Sequence, residues 1–186
     1  MALHPVTPPP EVLDTYQESL RDYGMPYQKE VSLYHLPVGA LGLEDLASGG
    51  GLEHVAPSGC RFVASWPNGL CTSCEMTNPS LYGMAKFRNF VTGDSAAGVL
   101  RRIEEAERLP DVQTRDYALH FLSVPDILFE GLHLSCEGQG SDFVLPTASS
   151  HPELPETAVL KASDFMAAAS RVASPRLAFE RAELSS

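Results

Sequence analysis

No run of about 18 apolar residues occurs anywhere in the chain, so no membrane-spanning helix is expected. The alanine-rich stretch 165–173 is too short, and Lys161, Asp164 and Arg171 flank or interrupt it. Residues 1–10 lack both a basic opening and an apolar core, so they do not read as a secretory leader. Asn78 is followed by Pro79, which removes the only approach to an N-glycosylation sequon. Four cysteines without a leader predict free thiols in a reducing, cytoplasmic setting. Motifs are missing too. Ser48-Gly49-Gly50-Gly51 is not followed by Gly-Lys-Ser/Thr, so it is a loop rather than a phosphate cradle. No Gly-x-Ser-x-Gly elbow is present. Gly138-Gln139-Gly140-Ser141 lacks the strand–turn–helix context of a dinucleotide site. No cofactor is expected.

Positive charge is also scarce. Against 24 acidic residues the chain has 13 lysines and arginines, a formal charge of −11. Such a field repels phosphate backbones and anionic lipid heads, so neither nucleic acid nor membrane is expected as a partner. Nine acidic and four basic residues follow position 116, which makes the last third the most acidic part. That excess either keeps the protein in solution or forms a face for a basic protein partner.

What is present argues for a folded α+β protein. At 44% hydrophobic residues, 186 residues are enough to build a core without a disulfide or metal staple. Residues 1–10 read as a flexible proline-rich arm, 11–174 as one globular domain, and 175–186 as a tail or short helix opened by Pro175. A helix from Glu11 carries Val12, Leu13, Tyr16 and Leu20, with Gly24 at its end. Glu30 to Val38 has strand composition, and Leu43 to Ala47 makes a helical turn. Cys60–Trp66 and Leu70–Met76 flank Asn68-Gly69, the preferred pair for a two-residue type I′ hairpin. That register sets Trp66 opposite Cys71 and Val63 opposite Cys74. Asn78-Pro79 reads as the start of a helix running through Leu81, Met84, Ala85 and Phe87 or Arg88 to Gly93. Over 94–109, Ala96, Val99, Leu100, Ile103 and Ala106 form one stripe, with Arg101–Glu105 and Glu104–Arg108 as outward ion pairs. Strands follow at 116–124, 127–136 and 143–145, and a helix from Ser163 carries Phe165, Met166, Ala169 and Val172. The sum is an antiparallel or mixed sheet of about five to six strands, with helices packed mainly on one face.

Several side-chain groups are candidates for chemistry. Cys71-Thr72-Ser73-Cys74 is half of a zinc or redox motif, and Cys60 is the nearest third thiol. On a strand, positions three apart point to opposite faces. The pair therefore reads first as two small semi-buried thiols, and no metal site is expected. His120 and His133 fall on neighbouring strands with Cys136 close in sequence, which leaves open a metal or catalytic cluster. Lys86-Phe87-Arg88-Asn89-Phe90 alternates cations and aromatics, but reads as a helix with rings inward and charges outward. Glu130, Glu137 and Asp142 lie near the expected turns of the acidic last third and are the candidate recognition residues. The expectation is an acidic binding or regulatory protein, of the interaction or immunity type. The alternative is a small enzyme, or a metal or thiol protein, using Cys60, Cys71, Cys74 or His120/His133.

Overall fold

The computed structural model describes residues 3–4, 7–25, 30–49, 51–77, 85–136 and 141–184. Among them are five helices: α1 (Pro10–Asp22), α2 (Leu43–Ala47), α3 (Asp94–Glu107), α4 (Pro110–Thr114) and α5 (Ala162–Leu184). The described strands are β1 (Leu3–His4), β2 (Ser32–Ala40), β3 (Ala56–Ser65), β4 (Cys71–Thr77), β5 (Phe87–Thr92), β6 (Tyr117–Val124), β7 (Phe129–Cys136), β8 (Phe143–Ser149) and β9 (Leu160–Lys161). The class is α+β with mixed strand pairing: β1 runs parallel to β6, whereas β3/β4, β4/β5, β7/β8 and β8/β9 are antiparallel. The strand count exceeds the expected five to six. Two of the additional strands, β1 and β9, are two residues long, and a third, β5, falls where a helix was expected. No helix among the described residues is long and apolar enough to cross a membrane.

Packing groups the residues into two compact units, each built from two chain segments. The first comprises Met1–Val38 and Pro57–Leu119, the second Gly39–Ala56 and His120–Ser186.

In the first unit, strands hydrogen-bond in the order β5-β4-β3-β2. Leu3, inside the arm expected over 1–10, is 5% exposed and pairs with Tyr117. Proline at the first helical position opens α1. Val12, Tyr16 and Leu20 recur every four residues and bury one face of that helix against Cys60, Phe62, Ala64, Trp66, Cys74 and Met76. The Tyr16 and Phe62 rings stack at 4.2 Å. Gly24 ends α1 at φ +66°. There the Gly24 N–H donates to Arg21 and the Met25 N–H to Leu20, a Schellman closure that only a residue tolerant of positive φ makes cheaply.

The hairpin exists, but its register is one residue away from the expected one. Ser65 pairs with Cys71, Val63 with Ser73 and Phe62 with Cys74. The loop is three residues, Pro67-Asn68-Gly69, closed by Trp66 N–H to Leu70 O and Gly69 N–H to Trp66 O, both at 2.9 Å. A type I′ turn needs positive φ at two positions, and here only Gly69 has it, at +79°. Pro67, fixed near φ −65°, favours a type I turn followed by a left-handed glycine instead. A one-residue slip exchanges cross-strand partners. It places Cys74 beside Phe62 in the core.

The helix expected from Asn78-Pro79 starts in residues 78–84, outside the described set. Its expected end is in fact strand β5, so Lys86-Phe87-Arg88-Asn89-Phe90 is not helical. Phe87 and Phe90 lie against Tyr23, at 5.2 and 4.7 Å. Arg88 contacts Glu75 at 3.1 Å, and Glu75 also binds Arg61 at 2.6 Å. The cations of these strands are thus engaged by a neighbouring carboxylate. In α3 the expected stripe, Ala96, Val99, Leu100, Ile103 and Ala106, is buried. The Glu104–Arg108 pair forms, at 3.6 Å, but Glu105 pairs with Arg102 rather than Arg101.

In the second unit the order is β6-β7-β8-β9. Leu41, Leu43 and Leu46 around α2 meet Leu122, Val124, Phe129 and Val144 of the strands and Phe165, Ala169 and Ala173 of α5. The alanines let α5 approach closely, and Phe165 packs with its ring tilted against Phe129 at 4.9 Å. Pro175 does not end this helix, contrary to the expected break. The proline forgoes one hydrogen bond, yet Leu177 beyond it still packs on the core. Between β6 and β7, Pro125–Ile127 forms a 3-10 turn and Leu128 sits in the left-handed region at φ 50°, 66% exposed.

Candidate functional site

The thiols are scattered by the fold rather than assembled. Cys60 and Cys74 share the face of β3 and β4 that α1 covers, and both are buried. Burial pushes each thiol up to about 12, with Glu75 adding to the effect on Cys60, and Cys60 and then Glu75 on Cys74. Such groups stay protonated at neutral pH and make poor nucleophiles and poor metal ligands. Cys71, three positions before Cys74, is partly exposed at the hairpin end. Among the described residues no group of three or more His, Cys, Asp and Glu is placed to hold a metal ion.

The second unit does assemble a cluster. β6 carries His120 and the adjacent strand β7 carries His133, with ring centroids 5.9 Å apart. β7 turns back into β8, so that His133 pairs with Val144 and Leu134 with Phe143. This register brings Asp142, just before β8, alongside the end of β7. Its Oδ2 lies 3.0 Å from His133 Nε2, and its Oδ1 accepts the Cys136 N–H at 3.0 Å. The Asp142 main-chain carbonyl accepts the Ala162 N–H at 2.9 Å, where α5 begins. His133 is nearly covered, its side chain 12% exposed, while Asp142 is at 30%. Burial lowers His120, His133 lowers it further, and Asp142 acts in the opposite sense. The arrangement can hold and pass protons. Cys136 meets Asp142 through its main-chain N–H.

Of the three acidic candidates, the two that are described separate. Asp142 is committed to His133 and Cys136 at one end of β7. Glu130 is at the other end, opposite Ala148. Glu137 lies outside the described residues, as does the turn 138–140. Around Glu130 a different acidic group collects: Glu156 accepts the N–H of Ser149, the residue after Ala148, and Asp126 lies in the turn leading into β7. Sequence reading names His133 and Asp142 separately and misses their contact. The antiparallel pairing of β7 with β8 is what joins them.

No protein-family model, curated protein or solved structure matches this chain.

Proposed function

We propose that this chain is a cytoplasmic, acidic binding protein with a regulatory role, and that its second unit engages a basic protein partner. The observation that carries this reading is the division of charge between the units. The second unit has 12 acidic and 4 basic residues, against 12 and 9 in the first. Its acidic groups include Asp126 in the β6–β7 turn, where Leu128 projects into solvent, Glu130 in β7, and Glu156 on the Ser149 N–H of the facing strand. Charge of one sign on a rigid turn speeds encounter with an oppositely charged partner. The same field disfavours nucleic acid and anionic membranes.

The test is association kinetics of immobilised chain with captured partner at about 0.1 M and 1 M salt, where the screening length falls from about 10 Å to about 3 Å. The expected result is a slower on-rate at high salt, and a similar slowing at low salt for the triple variant Asp126→Asn, Glu130→Gln, Glu156→Gln. A salt-independent on-rate, or a triple variant that associates like the wild type, overturns the reading. The second reading, a small enzyme, has one observation in its favour: the His133–Asp142 contact at 3.0 Å with His120 alongside. Turnover of a small molecule, abolished by His133→Gln in a folded protein, would establish it.

A further inference from the structure

Asp142 ties together the end of β7, the start of β8 and the start of α5, through the three contacts described above. An ionised carboxylate only accepts hydrogen bonds, so towards it the His133 Nε2–H is the donor. His120 stands beside this pair, its ring centroid 5.9 Å from that of His133. It is partly buried, and the charged groups acting on it are His133 and Asp142. From β9 and α5, the nearest ionisable side chains in sequence, Lys161 and Asp164, are exposed to solvent. Of the groups acting on His120, His133 and Asp142 are the two that respond to its proton.

We propose that His120, His133 and Asp142 form a proton-operated latch, closed while His120 is neutral and opened when His120 becomes an imidazolium beside His133. In the closed state one carboxylate oxygen serves His133 and the other the Cys136 N–H. A charged His120 ring, its centroid 5.9 Å from that of His133, competes for the same carboxylate. Asp142 then turns toward His120 and lets go of the Cys136 N–H. The proton comes from solvent, and no bond is made or broken covalently. The latch is independent of the partner-binding reading and stands or falls without it.

The sign follows from linkage. His120 is lowered in the folded chain relative to an unfolded histidine at about 6.5. Between those two values the unfolded chain binds more protons than the folded one. The stability is therefore complete above about pH 6.5 and is lost as pH falls from there to the folded midpoint. Per pH unit across that window the folding constant falls about tenfold.

The experiment is a pH titration of the full chain, following the histidine ring protons and amide exchange by NMR. The expected result is a His120 midpoint below about 6.5. Cys136 amide protection, corrected for intrinsic exchange, should fall across the same window by about tenfold per unit. In His120→Gln that fall should disappear, with protection at pH 7.5 unchanged. A His120 midpoint at or above that of an unfolded histidine overturns the proposal. So does Cys136 protection that is independent of pH, or one that falls equally in His120→Gln. The wild-type titration decides the matter even if the variant fails to fold.

Discussion

The loop Pro67-Asn68-Gly69 permits a test in which the sign, and not only the size, of an effect separates two structures. Gly69 is at φ +79°, and a Cβ built there meets nothing within 4 Å. The cost of Gly69→Ala is therefore conformational alone, about 1–2 kcal/mol for an L-residue in the left-handed region. The stiffer unfolded chain offsets about 0.4–1 kcal/mol of that, leaving a net loss near 1 kcal/mol. In a chain of this size that corresponds to about 2–4 °C. Asn68 is the discriminating position. It keeps a negative φ, since Leu128 is the only non-glycine with a positive one among the described residues. Its Oδ1 accepts the Leu70 N–H at 3.0 Å. Asn68→Gly removes that bond, worth about 0.5–1.5 kcal/mol, and adds about 0.5–1 kcal/mol of chain entropy to lose. A loss of about 1–2 kcal/mol is expected. In a two-residue type I′ turn the same change is neutral or stabilising, because both positions then need positive φ. Urea unfolding read by fluorescence suits the purpose: Trp66, the single tryptophan, is 3% exposed and donates from Nε1 to Thr72 beside the loop. An Asn68→Gly variant as stable as the wild type refutes the three-residue loop.

Three further outcomes are expected. Gly131→Ala places a Cβ 3.0 Å from the Leu145 carbonyl oxygen and 2.9 Å from the Phe129 ring, so it should destabilise by about 1–3 kcal/mol. An unchanged melting temperature means that β7 and β8 are not this close. Leu128→Asn relieves a branched side chain of its left-handed conformation, and asparagine tolerates that region. A gain of up to about 1 kcal/mol is expected, and a loss in thermal or urea unfolding means that the exposed leucine makes a contact absent from this structure. With thiol reagent at pH 7.5, Cys71 and Cys136 should react well ahead of Cys60 and Cys74, which are buried and pushed up to about 12. Mass mapping of early adducts on Cys60 or Cys74 contradicts their burial under α1.

Local sequence determined those features that depend on chemistry within a few residues. The α1 stripe and its closing Gly24, the buried face of α3, the turn at Pro125-Asp126 and the Phe165–Ala169 face of α5 were all legible. Each follows from helical spacing, a proline or a glycine acting on its immediate neighbours. The α+β class followed from the order of such elements, whereas the choice between antiparallel and mixed pairing was decided by β1 beside β6. What lay beyond local reach was decided by partners distant in sequence. Phe87–Thr92 has aromatic and basic residues that suit a helix face as well as a strand. Pairing with β4 makes it a strand, with Glu75 holding Arg88. Asn68-Gly69 announced a hairpin, but the register depended on Pro67 and on which face of β4 meets the α1 core. Leu177 carried α5 past a proline that local rules treat as a stop. The His120–His133–Asp142 cluster belongs to the same class. Its members stand on three different chain segments. Only the pairing of β7 with β8, and its position next to β6, brings a carboxylate and two imidazoles to one place. Periodicity reports which way a side chain faces within one element, whereas strand register, a property of two elements at once, reports what it meets.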